Sequence, residues 1–171
     1  MARQSLSELL SGVEGLPGVT GIVDAILKNE NGDIVQHEHK HNMITDAFRT
    51  WLGGNDNSFT SAYIFIHENT EAMHQKRSAM RTVLPGTWAQ NVSQSFDGPN
   101  RIWTFATVFG TPPTTRTFKT VGLTRGHNTS GYTGVFEGPN SIIAATVLSA
   151  TITQEMSQTL EVNYRLAFQR S

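Results

Sequence analysis

Residues 158–168 read QTLEVNYRLAF. Leu160, Val162, Tyr164, Leu166 and Phe168 take alternate positions, while Glu161, Asn163 and Arg165 fill the gaps between them. A period of two sends successive side chains to opposite faces of an extended strand, so this segment predicts a strand with one apolar and one polar face. A helix would spread the same residues around its circumference. A half-buried strand needs partners.

Reading outward finds them. SAYIFIH (61–67) is a compact apolar run rich in aromatic and β-branched residues, the pattern of a buried strand. TWAQNVSQSF (87–96), RIWTFATVF (101–109), RTFKTVGLT (116–124) and SIIAATVLSATIT (141–153) follow, separated by turns and loops. Residues 70–80, TEAMHQKRSAM, lack alternation and predict a short polar helix or an ordered loop. Short strands with frequent turns predict an all-β domain, an antiparallel β-sandwich or jelly-roll-like fold with one to three short helices.

The earliest strands form a hairpin. GIVDAILKNE and DIVQHEHK flank Asn31-Gly32, the pair favoured in a two-residue type I′ turn. That turn sets Glu30 against Asp33 and, counting outward, Ile26 against His37, Asp24 against His39 and Ile22 against His41. The second strand is expected to give way near Asn42 or Thr45, either of which can cap a helix over DAFRTWL before Gly53-Gly54 stops it. Residues 96–102 (FDGPNRI) and 136–142 (FEGPNSI) echo each other. Pro suits position i+1 of a β-turn and Asn the next, so the same turn used twice is the reading adopted over a duplicated motif.

Residues 1–18 predict an N-terminal arm, with a single domain over 19–171. Ser5 and Glu8 have capping-box spacing, and Leu6, Leu9, Leu10 and Val13 form an apolar stripe. Glycines at 12, 15, 18 and 21 have the collagen period, but so few triplets cannot sustain a triple helix, and a flexible tether is expected. The stripe can dock on a neighbouring subunit, making Leu6, Leu9, Leu10 and Val13 candidate subunit contacts. It can equally fold back on its own domain.

Composition narrows the function. Of the 171 residues only 16% are charged, against roughly 25% in average proteins, and the formal net charge is −1. A nucleic-acid binder needs a basic surplus to release counterions from phosphates, so no nucleic-acid partner is expected. No apolar run nears the ~20 residues that span a bilayer, and the first fifteen residues lack the apolar stretch of a secretory signal. The expected protein is soluble, without membrane insertion. The absence of Cys excludes disulfides, a thiolate nucleophile and Cys-based zinc sites.

Motifs for chemistry are equally sparse. The Gly-rich segment has neither the Walker spacing nor G-x-G-x-x-G, and no G-x-S-x-G elbow marks a nucleophile. His67-Glu68-Asn69-Thr70-Glu71 starts like the zinc motif H-E-x-x-H but ends in Glu, and His67 is read as the end of a strand. His74 and His127 stand alone in polar segments, and the sequons at Asn91 and Asn128 mean little without a secretory signal. No catalytic residue and no cofactor are expected.

QHEHKH (36–41) holds half of the six histidines. On a strand His37, His39 and His41 share one face, and Gln36, Glu38 and Lys40 the other. These imidazoles are candidate metal ligands if symmetry multiplies them, two from each of three chains completing an octahedral cage. They could also be a subunit contact. The reading adopted is a polar strand face in which Asp24 and His39 pair across strands, worth about 0.2–1 kcal/mol.

Three pieces, in order, resemble a known group of proteins. The hairpin around Asn31-Gly32 runs into Asn42-Met43-Ile44-Thr45 and a short helix; TRTFKTVGLT (115–124) follows; QTLEVNYRL (158–166) ends the series. This order, over most of residues 19–171, resembles small structural proteins of tailed-bacteriophage virions, found in necks, tails, fibre attachments and capsid decorations. Many of those carry Gly near the helix start, where this chain has Ala47-Phe48. The resemblance implies a non-enzymatic β-sandwich working by homo-oligomeric assembly with itself and other virion proteins. It would sit in the virion, in the neck or tail region or as a capsid decoration (cement) protein, after assembly in the host cytoplasm. A carbohydrate-binding module that recognises a host surface glycan is the other class, with Trp51, Trp88, Trp103, Tyr63 and Tyr132 as candidate platforms. Trp103 alternates with Phe105 and reads as core.

Overall fold

The computed structural model describes residues 19–44, 62–68, 87–125 and 142–168. These form nine strands: β1 (Val19–Lys28), β2 (Ile34–Ile44), β3 (Ala62–His67), β4 (Thr87–Asn91), β5 (Ser93–Asp97), β6 (Ile102–Phe109), β7 (Arg116–Arg125), β8 (Ile142–Gln154) and β9 (Thr159–Phe168). All pairings are antiparallel, and the described residues contain no helix. The helix expected over 46–52, the segment 70–80, the second GPN turn, and the arm with Leu6, Leu9, Leu10 and Val13 lie outside the described residues.

The strand order is β4-β3-β7-β8-β2-β1-β9-β6-β5, folded over as two packed sheets. One layer is β2-β1-β9-β6-β5. The other is β8-β7-β3-β4, joined to the first where Met43 and Ile44 of β2 pair with Ala145 and Ala144 of β8. At the far side β4 and β5 are consecutive in the chain and belong to different layers. TWAQNVSQSF is therefore not the single strand its sequence suggests. It breaks at Val92, which packs against the core while the chain changes sheet, and Thr107 Oγ1 secures the corner by donating to Asn91 O at 2.7 Å. At one long side β2 pairs with both layers, and at the other the chain turns from β4 to β5, the two strands that end the order of described strands.

The expected alternation holds from Thr159 to Leu166 and breaks at the end of β9, where Ala167 is buried and Phe168 only partly so. Leu160, Val162, Tyr164 and Leu166 are completely buried, and with Val23, Ala25, Leu27 and Phe105 they face Ile64, Ile66, Val121, Leu123, Leu148 and Ile152 of the other layer. At about 25 cal/mol per Å² of apolar surface, burial of this kind dominates the stability of the domain. AYIFI shows no polar alternation because β3 is buried on both faces. Ile64 and Ile66 point into the core, while Phe65 and His67 are buried on the outer face.

The hairpin keeps the expected register, with Ile22 opposite His41, Asp24 opposite His39 and Ile26 opposite His37. Its turn differs from the expectation. The Gly32 amide donates to Asn29 O and Gly32 has φ +85°, so a β-turn over residues 29–32 ends in a left-handed glycine, and Asn29 pairs with Asp33. This three-residue loop wins because Asn29 Oδ1 accepts from the amides of Asn31 and Asp33, at 3.0 and 2.9 Å. The one-residue slip it introduces is undone by an irregularity beside Leu27, after which Leu27 faces Gln36. The first GPN turn forms as expected, with Pro99 and Asn100 central, Arg101 donating its amide to Gly98 O, and Asp97 accepting from Asn100.

Candidate functional site

The outer face of β2-β1-β9 carries the three candidate histidines. Cross-strand register puts Asp24 directly between His39 and Asn163, with His37 and Arg165 on the diagonals. All three basic side chains converge on its carboxylate. His39 Nδ1 lies 2.7 Å and His37 Nε2 3.0 Å from Oδ1, and Arg165 Nη2 donates to Oδ2. The Asp24 side chain is 14% exposed, while His37 and His39 are 45% and 37% exposed. Burial alone would raise the Asp24 pKa; the hydrogen bonds from His39 and His37 and the Arg165 charge outweigh it and hold the carboxyl below its ordinary value. An ionised carboxylate only accepts, so the imidazole nitrogens facing it serve as donors.

His41 stacks edge-to-face on His39, with ring centroids 5.9 Å apart. Its Nδ1 is enclosed, and burial, then the proximity of His39, pushes its pKa down. The structure thus brings His37 and His39 together on Asp24 and leaves His41 one step along. Among the described residues no group of three or more His, Asp or Glu is placed to hold a metal ion. The expected Asp24–His39 pair is present, with His37 and Arg165 as additional members. Farther along this face Lys28 Nζ meets Glu161 Oε2 at 2.6 Å; Lys28, helped by Asn163, holds the Glu161 carboxyl down.

The opposite face of the same stretch has a structural task that the sequence reading missed. Gln36, Glu38 and Lys40 share the inner face with Leu27, Ala25 and Val23, at the side where β2 meets β8. There β8 bulges, so that Phe118 faces Ile152 but Thr120 faces Val147. Side chains of β2 complete what the backbone ladder leaves undone. Glu38 Oε2 accepts from Ala150 N at 3.1 Å, Gln36 Nε2 donates to Thr151 O at 3.2 Å, and Lys40 Nζ donates to Ser149 Oγ at 3.2 Å. Inward-pointing polar groups at such a margin satisfy one strand and discourage foreign ones.

A groove opens where the inner face of β5-β6-β9 runs past its cover. Phe96, Trp103 and Phe168 line it together with Gln94 and Ser95, around a volume of about 570 Å³. Phe96 is opposite Trp103 in register, with their rings at 78° and 6.4 Å, and Trp103 lies 5.2 Å from the buried Phe105. Phe96 is 61% exposed although it lies opposite Trp103, which packs against the core. The sequence held this signal, since Phe96 and Trp103 are brought face to face by the turn between them.

Of the candidate platforms, Trp103 reaches this groove. Trp88 instead packs on the core with the Arg116 guanidinium 5.0 Å over its ring, and Trp51 and Tyr132 lie outside the described residues. His67 ends β3 as expected and is buried, and burial pushes its pKa down.

These shifts set a pH profile. Unfolded His binds protons below about pH 6.5, whereas the buried His67 and the half-buried His41 resist doing so in the folded state. Stability should therefore fall as pH drops from about 6.5 towards the lower folded values. A second loss should follow below about pH 4, as protons reach Asp24 and Glu161, whose folded pKa values are depressed. Thermal melts between pH 8 and 3 check this; a Tm that is flat from pH 7.5 to 5 would contradict the first stage.

No protein-family model, curated protein or solved structure matches the chain.

Proposed function

We propose that the chain is a non-enzymatic, homo-oligomeric structural subunit of a tailed-phage virion, built into the neck or tail region, with capsid decoration as the alternative position. The observation that carries assembly is the aromatic groove. Phe96, Trp103 and Phe168 continue the core's inner face into solvent, and an apolar surface of that kind marks a site for another macromolecule. The phage assignment rests on the resemblance of the hairpin, the TRTFKTVGLT segment and the terminal strand. The sparse charge suits the role, because neutral polar surface costs less to desolvate in a repeated interface than charged surface does. The apolar stripe of Leu6, Leu9, Leu10 and Val13 supplies a second contact to a neighbour, and its tether adds avidity.

Native mass spectrometry and light scattering test this reading. Assembly should survive a rise from about 0.1 to about 1 M salt, which shortens the Debye length from about 10 to about 3 Å, because contacts of this type carry little exposed charge. It should also survive EDTA if His37, His39 and His41 are a strand face knitted to Asp24. Disassembly in EDTA but not in salt would restore the metal cage, and a monomer under every condition would count against a structural subunit. The carbohydrate-binding alternative rests on the Trp103 and Phe96 rings, and glycan-array binding that is lost in Trp103→Ala would favour it.

A further inference from the structure

β5 ends the strand order beside β6, and all five of its residues are exposed. Its register with β6 is regular from Ser93 to Asp97, with no bulge to twist the edge away. It reads SQSFD, without the Lys or Pro that commonly protects an edge from other chains. The same strand supplies Phe96 and Gln94 to the groove, so the edge that ends the order of described strands coincides with an exposed apolar ring.

We propose that β5 is a docking edge for β5 of a second copy, paired antiparallel about a twofold axis at Ser95. The two five-stranded layers would then form one continuous sheet across the dimer. This rests on the reading of the chain as a self-assembling subunit and names the surface that it uses.

The residues of β5 select both the partner and the register. With Ser95 against the partner's Ser95, Phe96 lies opposite the partner's Gln94, on the face that both grooves share. Phe96 and the partner's Phe96 become diagonal neighbours about 7–8 Å apart, within reach for aromatic rings. Each ring then covers the mouth of the adjoining groove. Asp97 is the strand's single charge and falls opposite the partner's Ser93. The two Asp97 positions are four residues apart along the strands, roughly 14 Å at about 3.4 Å per residue, beyond the Debye length of about 8 Å. Centring the axis on Phe96 instead would make the two carboxylates diagonal neighbours. The Ser95 register uses the whole strand and keeps its charges apart.

The chain has no Cys, so a single introduced thiol reports on this geometry without background. Directly opposed residues in an antiparallel pair have Cα atoms about 4.5–5.5 Å apart, within disulfide range. In the full chain, Ser95→Cys should convert to covalent dimer under mild oxidation, and Ser93→Cys should do so at least tenfold less. Phe96→Glu should raise the concentration for half-association at least tenfold, with circular dichroism and Tm unchanged. Val108→Glu, at an exposed position on the outer face of β6, should assemble as wild type does. Equal cross-linking at the two positions, or wild-type association of Phe96→Glu, would overturn the β5 edge while leaving assembly standing. A wild-type chain that stays monomeric throughout would overturn both.

Discussion

Gln154→Leu is expected to lower stability by about 3–5 kcal/mol. Gln154 is fully buried and ties three elements together. Its Oε1 accepts from Arg116 Nε at 2.8 Å, and its Nε2 donates to Gly110 O at 3.1 Å and Gln158 O at 2.8 Å. Leucine fills similar space but leaves a guanidinium N–H and two carbonyls without this partner, each costing about 1–3 kcal/mol before local relaxation. Arg116 cannot simply swing away. Its guanidinium lies between Trp88 and Phe109, 5.0 and 5.4 Å from their ring centroids, joining β4, β6 and β7 at one end of the sandwich.

For a domain of this size about 1 kcal/mol moves Tm by roughly 2–4 °C, so a drop near 10 °C is expected in a thermal melt. Pairing the change with Arg116→Met should recover part of the loss, because the buried cation then disappears together with its acceptor. A single variant melting within about 2 °C of wild type would remove Gln154 from this role.

How much of this was legible in the sequence depended on the range of the interaction. Alternation in 158–168 and the hairpin register through Asp24 and His39 are local patterns in which each residue's face follows from its neighbour's. Both could be read directly. The turn could not, because Asn31-Gly32 favours a two-residue loop on its own, and the outcome was decided by the Asn29 side chain binding two later amides. TWAQNVSQSF looked continuous because nothing local marks Val92 as the corner between two sheets.

The long-range pairs were hidden for a different reason. Gln36, Glu38 and Lys40 meet residues more than a hundred positions away, at a bulge in β8 whose existence depends on packing. The histidines on the other face are conspicuous in sequence, while the polar set between them does the joining. The groove was nearer to legible. Phe96 and Trp103 follow from one hairpin, but that the opposite layer stops short of them is a property of the whole sandwich.

Gly122→Ala tests a close approach between two strands of the second sheet. Gly122 sits in β7 between Phe65 of β3 and Ala145 of β8, on the outer face of that layer. The completely buried Phe65 ring lies across it. A Cβ built at Gly122 would fall inside the Phe65 ring's contact distance and 3.0 Å from Ala144 O. Neither neighbour can yield cheaply, since one is a packed aromatic ring and the other is backbone. Overpacking of this kind costs about 1–3 kcal/mol and occasionally more, and the upper end is expected here, a Tm loss of roughly 6–12 °C. Phe65→Leu in the same chain should return part of it by shortening the obstructing side chain, a non-additive pair. Gly110→Ala is the control, because a Cβ there meets nothing within 4 Å. If both alanine variants melt alike, glycine entropy rather than the Phe65 ring governs position 122; if only Gly122→Ala falls, the close approach of β3 to β7 is what requires the glycine.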